Sequence, residues 1–237
     1  IETGTLDNSA TLAGNQGLQG HAVYLNADVL GNQAGAVLAD TTLDIGVSQT
    51  LDNSGGLISS RQRLSLTDRD PAAQALRIDN LDGRLQAGQS LRLNAAYYSG
   101  SGQALSLGDL TLRLLEGLEV SGLLQANTTL DVLSAGSLVN HGKLLAGRSM
   151  RLTADTVDNR GTGEISADQL RIVHAASPLA AALGGGADQE LLRKNGLKIH
   201  LIGKIRKINI NRFQSQIPKQ LTVAKIGGHI FIEPVVS

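Results

Sequence analysis

The sequence repeats itself about every twenty residues, and no other feature limits its possible folds as strongly. The segment LDNSGGLISSRQRLSL (51–66) has the same skeleton as IDNLDGRLQAGQSLRL (78–93). In both, an Asn is followed at plus five by an aliphatic residue, at plus seven by a small one, and at plus eleven and plus thirteen by an aliphatic pair. From Asn53 these are Ile58, Ser60, Leu64 and Leu66; from Asn80, Leu85, Ala87, Leu91 and Leu93; from Asn32, Val37, Ala39, Leu43 and Ile45. Two coils keep the apolar positions without the Asn: Ser99 leads to Ala104, Leu110 and Leu112, and Glu119 to Leu124, Ala126, Leu130 and Val132. One-residue slips carry the pattern on from Asn140 through Leu144, Ala146, Met150 and Leu152, and from Asn159 through Ile165, Ala167, Leu170 and Ile172. A looser coil precedes them around Asn8, with Val23 and Leu25. The anchors at 32, 53, 80, 99, 119, 140 and 159 are spaced by 21, 27, 19, 20, 21 and 19 residues. The one interval out of step holds TDRDPAAQ (67–74), whose Pro and charges suit a loop bulging from a coil.

Apolar pairs such as Leu64/Leu66, Leu91/Leu93 and Leu130/Val132 alternate with polar neighbours, the period of a strand with one buried face. The Asn, Ser and Gly between them would break a helix interior but satisfy turns. A coil of this length cannot bury its own aliphatic side chains, so coils must stack, strand on parallel strand, about 4.8 Å apart. The expected fold is all-β, a right-handed parallel β-helix over 1–173, in a rod on the order of 35 to 40 Å long. Hydrophobic residues make up 41% of the chain, yet there are three Tyr, two Phe and no Trp, so the core must be built from thin aliphatic layers. The recurring Asn32, Asn53, Asn80, Asn140 and Asn159 are expected to form a structural turn ladder, each amide bonding the next coil and the local backbone. The small residue at plus seven is expected to let the chain corner tightly.

The formal charge of zero conceals two regions. Residues 1–190 carry 12 Lys plus Arg against 20 Asp plus Glu, and residues 191–237 carry 9 against 1. The Ala/Gly-rich run at 174–190 reads as a linker and 191–237 as a basic C-terminal tail, in which 220–236 reads as two short strands about Gly227-Gly228. Cysteine is absent, so there is no disulfide framework, thiolate metal site or Cys nucleophile. With no Met start, no charged segment leading into an apolar stretch and no apolar run long enough to span a bilayer, the chain reads as an internal fragment whose export signal lies outside it.

No site chemistry stands out. The dipeptides Asp7-Asn8, Asp52-Asn53, Asp79-Asn80 and Asp158-Asn159 would share one corner, where a carboxylate row could bind calcium or the side chains could simply cap turns. The turn reading needs nothing more. Asp82, Arg84, Arg92, Asp131, Arg148 and Arg151 show no evident catalytic cluster. His21, His141 and His174 lack metal-ligand spacing, and His200 and His229 have no evident partners. The GGG at 184–186 lacks the Lys-Ser/Thr of a phosphate loop. No cofactor, metal or enzymatic activity is expected, and no nucleic-acid binding for 1–173. The tail's Lys and Ile could instead form a basic surface for nucleic acid or anionic lipid.

LDNSGGLISSRQRLSLT, IDNLDGRLQAGQSLRLNA, LVNHGKLLAGRSMRLTA and VDNRGTGEISADQLRI together resemble the haemagglutinin repeats of filamentous haemagglutinin-like exoproteins. That family includes the large effectors of contact-dependent growth inhibition. The resemblance covers most of 1–173 and implies a β-helical stalk, two-partner secretion through a dedicated outer-membrane transporter, and display at the bacterial cell surface. It also implies a receptor on a host or neighbouring cell, for adhesion or toxin delivery, and an immunity protein if the parent carries a toxin. The chain holds neither the amino-terminal secretion domain nor the VENN-type motif that often precedes a toxin, so adhesin and toxin carrier both stay open. So does the tail, as a small toxin module or as a truncated or recombined remnant.

Overall fold

A computed structural model describes residues 1–70 and 73–174 and, further on, the strands His200–Leu201, Lys204–Arg206, Leu221–Ile226 and His229–Pro234. Among the described residues there are strands and turns and no helix. The expected stacking is what the chain adopts: a parallel β-solenoid of about eight coils at roughly twenty-residue spacing.

Each coil presents three faces. The widest is built from Arg63–Asp68, Thr129–Ser134, Ser149–Ala154, Gln169–His174 and the first halves of Ser90–Gly100 and Asp109–Val120. A second face follows with Arg77–Asp79, Ser137–Asn140, Thr156–Asn159 and the second halves of the two long strands. The third carries Leu57–Ser60, Arg84–Ala87, Gln103–Ser106, Leu123–Ala126, Lys143–Ala146 and Glu164–Ser166. Register is fixed because a slip of one residue would turn every aliphatic side chain outward.

The repeat positions become columns. Leu43, Leu64, Leu91, Leu110, Leu130 and Met150 stack one above another on the wide face, each buried. Each leucine removed from water there contributes about 2 to 3 kcal/mol. The plus-seven residues Ala39, Ser60, Ala87 and Ala126 are buried where the third face turns into the wide one. At Ser60 the hydroxyl donates to Thr41 O at 2.9 Å and accepts from Gln62 N, so this side chain caps the corner as well as filling it.

The out-of-step interval is a loop between Arg63–Asp68 and Arg77–Asp79. Asp68, 7% exposed, closes it: one carboxylate oxygen accepts Asp70 N at 2.8 Å and the other Leu76 N at 2.7 Å. In the C-terminal part, His200–Leu201 pairs in parallel with Thr156–Asn159, and Lys204–Arg206 with Glu164–Ser166. Leu221–Ile226 and His229–Pro234 pair antiparallel, and these are the two short strands anticipated on either side of Gly227-Gly228. The linker at 174–190, His174 apart, and the GGG run lie outside the described residues, as does most of the basic tail.

Candidate functional site

The most ordered polar feature is a column of buried amides at the turn between the second and third faces. Asn8 Nδ2 donates to Asn32 Oδ1, Asn32 to Asn53 and Asn53 to Asn80, each at 2.7 Å, and Asn140 donates to Asn159 at 2.6 Å. Asn32, Asn53, Asn80, Asn140 and Asn159 are fully buried. Each Asn also reaches backbone carbonyls: Asn53 Nδ2 those of Gly56 and Arg84, Asn159 Nδ2 that of Gly163 at 2.9 Å. A primary amide has two N–H donors and one carbonyl, so an in-register stack can satisfy most of its buried polar capacity. Asn8, outside the expected set, begins the column.

Between Asn80 and Asn140 the column is interrupted. The sequence reading anchored these coils at Ser99 and Glu119, but the register sets both opposite Asp79, so Gly100 and Val120 lie in line with the asparagines. The turns explain the offset. From Asn53 to Leu57 or Asn80 to Arg84 the turn includes three residues, whereas Gly100 to Gln103, Val120 to Leu123 and Asn140 to Lys143 include two. Counting back five from the aliphatic residue therefore lands one position early, and the slip noticed at Asn140 has the same origin.

Tyr98, which sequence reasoning passed over, closes the upper end of the break. It is 1% exposed, and its hydroxyl accepts Asn80 Nδ2 at 3.1 Å. Burial pushes its phenol up to about 12. The lower end has no such substitute: Asn140 Oδ1 is buried without a hydrogen-bond partner. A second omission is the turn glycine three residues after Asn32, Asn53 and Asn80. At Gly83 a Cβ would lie 2.0 Å from Asn53 O, so stacked turns touch backbone to backbone there. The spacing N-x-x-G was the available signal.

The shortened turns leave a recess of about 310 Å³, lined chiefly by Ser101, Gln103, Ser121, His141, Lys143 and Thr162. Ser101 Oγ donates to Asp82 Oδ1 at 2.7 Å, Thr162 Oγ1 to His141 O, and Lys143 Nζ lies 3.9 Å from Glu164. The recess is shallow and of mixed polarity.

Three of the four aspartates preceding the asparagines bond within their own turns. Asp7 and Asp52 each accept the backbone N–H and hydroxyl two residues on, from Ser9 and Ser54, and Asp158 is paired with Arg160. The Ser9 hydroxyl and N–H hold the Asp7 carboxyl below the usual range. Among the described residues no three of His, Cys, Asp and Glu are placed to hold a metal ion. Arg92, Asp131 and Arg151, scattered in sequence, share one outward row of the wide face, with Arg113 bonded to Asp131 at 2.6 Å. Arg84 is outward on the third face, and Arg148 lies exposed at a corner. His21 is exposed, 4.0 Å from Asp40, His141 sits in a turn, and His174 ends the last wide-face strand.

No family model and no solved structure matches the chain. Curated relatives do. Over 75 residues the chain is 40% identical to a tRNA nuclease CdiA of Escherichia coli (strain NC101), covering 32% of this chain and 2% of the relative. Over 72 residues it is 40% identical to an Escherichia coli protein named Toxin CdiA, covering 30% and 2%. A deoxyribonuclease CdiA of Dickeya dadantii (strain 3937) is 33% identical over 150 residues, 60% of this chain and 4% of the relative. The chain thus spans only 2–4% of the length of these relatives. Their names correct one expectation. The sequence reading expects no enzymatic activity, and segments like this one occur in proteins named as nucleases, so that expectation does not stand.

Proposed function

We propose that the solenoid is a stalk segment of a large secreted exoprotein of contact-dependent growth inhibition, one that carries a toxic nuclease on the same polypeptide. The likeness to the Dickeya dadantii deoxyribonuclease CdiA, 33% over 150 residues, carries this reading, and the coil architecture supports it. Physically, a stack of self-similar coils is a spacer. Each coil adds about 4.8 Å of length, buries its aliphatic face against its neighbours, and leaves an outer surface free to vary. The absence of cysteine suits a chain that must cross an outer membrane unfolded, since no disulfide can lock it beforehand. On this reading the parent uses a dedicated outer-membrane transporter, is displayed at the cell surface, meets a receptor on a neighbouring cell, and is matched by a small immunity protein in the producer.

The test is a contact competition. Cells displaying the parent exoprotein are mixed with target cells with and without the candidate immunity protein, and target viability and nucleic-acid integrity are followed. Contact-dependent loss of unprotected targets with cleaved nucleic acid is the expected result. Adherence of the two cell types with unimpaired target growth would overturn the toxin-carrier reading and leave a plain adhesin stalk.

A further inference from the structure

We infer that the rod contains a built-in joint at the coils carrying Gly100 and Val120, where the stack yields before it yields elsewhere. Three observations meet there. First, the amide column that runs unbroken from Asn8 to Asn80 and resumes from Asn140 to Asn159 has no member at these two positions. Second, the broken ends are visible: Tyr98 supplies a hydroxyl to Asn80, and Asn140 Oδ1 is left buried and unpaired. A buried acceptor without a donor raises the free energy of the closed stack, and any opening that admits water relieves it. Third, the shortened turns place the open recess beside these coils, so the discontinuity lies next to the surface. The backbone still pairs across it, with His141 N donating to Val120 O at 2.8 Å and Asn80 N to Ser99 O at 2.9 Å. The joint therefore loosens without parting.

Its chemistry is confined to one column. The wide-face leucines Leu91, Leu110 and Leu130 are as buried at the joint as Leu64 is outside it. Gly100 cannot simply be restored to Asn, since its φ is +134° and a Cβ would lie 2.5 Å from Asn80 C. Val120 can be changed. It is buried, directly in register with Asn140, and a donor placed there faces the orphan oxygen.

Hydrogen exchange on the full chain, resolved to single amides by NMR, tests this. The second-face amides at Leu118 and Val120 are expected to exchange at least tenfold faster than the matched amides of Leu51 and Asn53, which lie within the intact column. Equal protection along the column would overturn the joint. Val120→Asn is expected to slow exchange at Leu138–Asn140 tenfold or more while leaving Leu51–Asn53 unchanged. Unchanged exchange in a folded Val120→Asn chain would show that the amide column does not set the weak point, and if the variant does not fold, the wild-type map alone decides.

Discussion

The coils from Asn32 to Asn80 and those at Gly100 and Val120 enclose the same kind of aliphatic column, with Leu64 and Leu66 in one region and Leu110 and Leu112 in the other all essentially inaccessible. Only the first are tied at the turn by hydrogen-bonded amides. Two independent fastenings thus hold this rod. Burial of leucine is nondirectional and tolerates a neighbouring change, whereas the amide stack is directional and fixes which residue sits over which. Where the second is missing the fold and its register persist, which means the leucine layers define the solenoid and the asparagines add a directional fastening at the turn.

The largest effect should come from attacking the layer common to both regions. Leu91→Asp buries an unpaired carboxylate between coils and should cost more than about 4 kcal/mol, seen as loss of the folded baseline in a denaturant titration. Next, Asn53→Ala removes the acceptor of Asn32 and the donor of Asn80 and should cost about 2 to 3 kcal/mol by the same titration. A cost near zero would mean that the column adds nothing to the leucine layers. Alkali probes the upper end of the break. With Tyr98 raised to about 12 when folded and near 10 when unfolded, its contribution is intact below pH 10 and is lost as pH rises from 10 through 12. The loss should reach about 2 to 3 kcal/mol, and Tyr98→Phe should abolish that component while itself costing about 1 kcal/mol. Smallest of all, Arg84→Ala on the exposed third face should change stability by no more than about 0.5 kcal/mol.

Much of the architecture was legible because it repeats. Ile58, Leu64 and Leu66 name their counterparts in every later coil, and period two tells strand from helix without a structure. The asparagines recur with the repeat, and their hydrogen bonds follow from in-register stacking. Gly100 and Val120 were not legible. A turn shortened by one residue shifts the count without disturbing the apolar pairs, so Ser99 and Glu119 stood in their place until the pairing of strands fixed the alignment. Tyr98 was missed because one aromatic in one coil breaks no pattern, and only its contact with Asn80 reveals its use. The wide-face row of Arg92, Thr111, Asp131 and Arg151 was hidden likewise, its members being separated by coils in sequence and aligned only in three dimensions. Catalysis was misjudged for another reason: a repeat describes the segment that contains it and carries no information about the rest of a long polypeptide.

The carboxylate of Asp68 grips Asp70 N and Leu76 N, so the excursion at 69–76 begins and ends at the same side chain. Such a clasp separates the contents of the excursion from the rod beneath it. Lengthening a closed loop costs little, about 0.6 kcal/mol per doubling, so this corner can act as a socket. A peptide epitope or a reporter tag spliced between Asp70 and Ala75 should ride on the solenoid while the coils above and below keep their stacking.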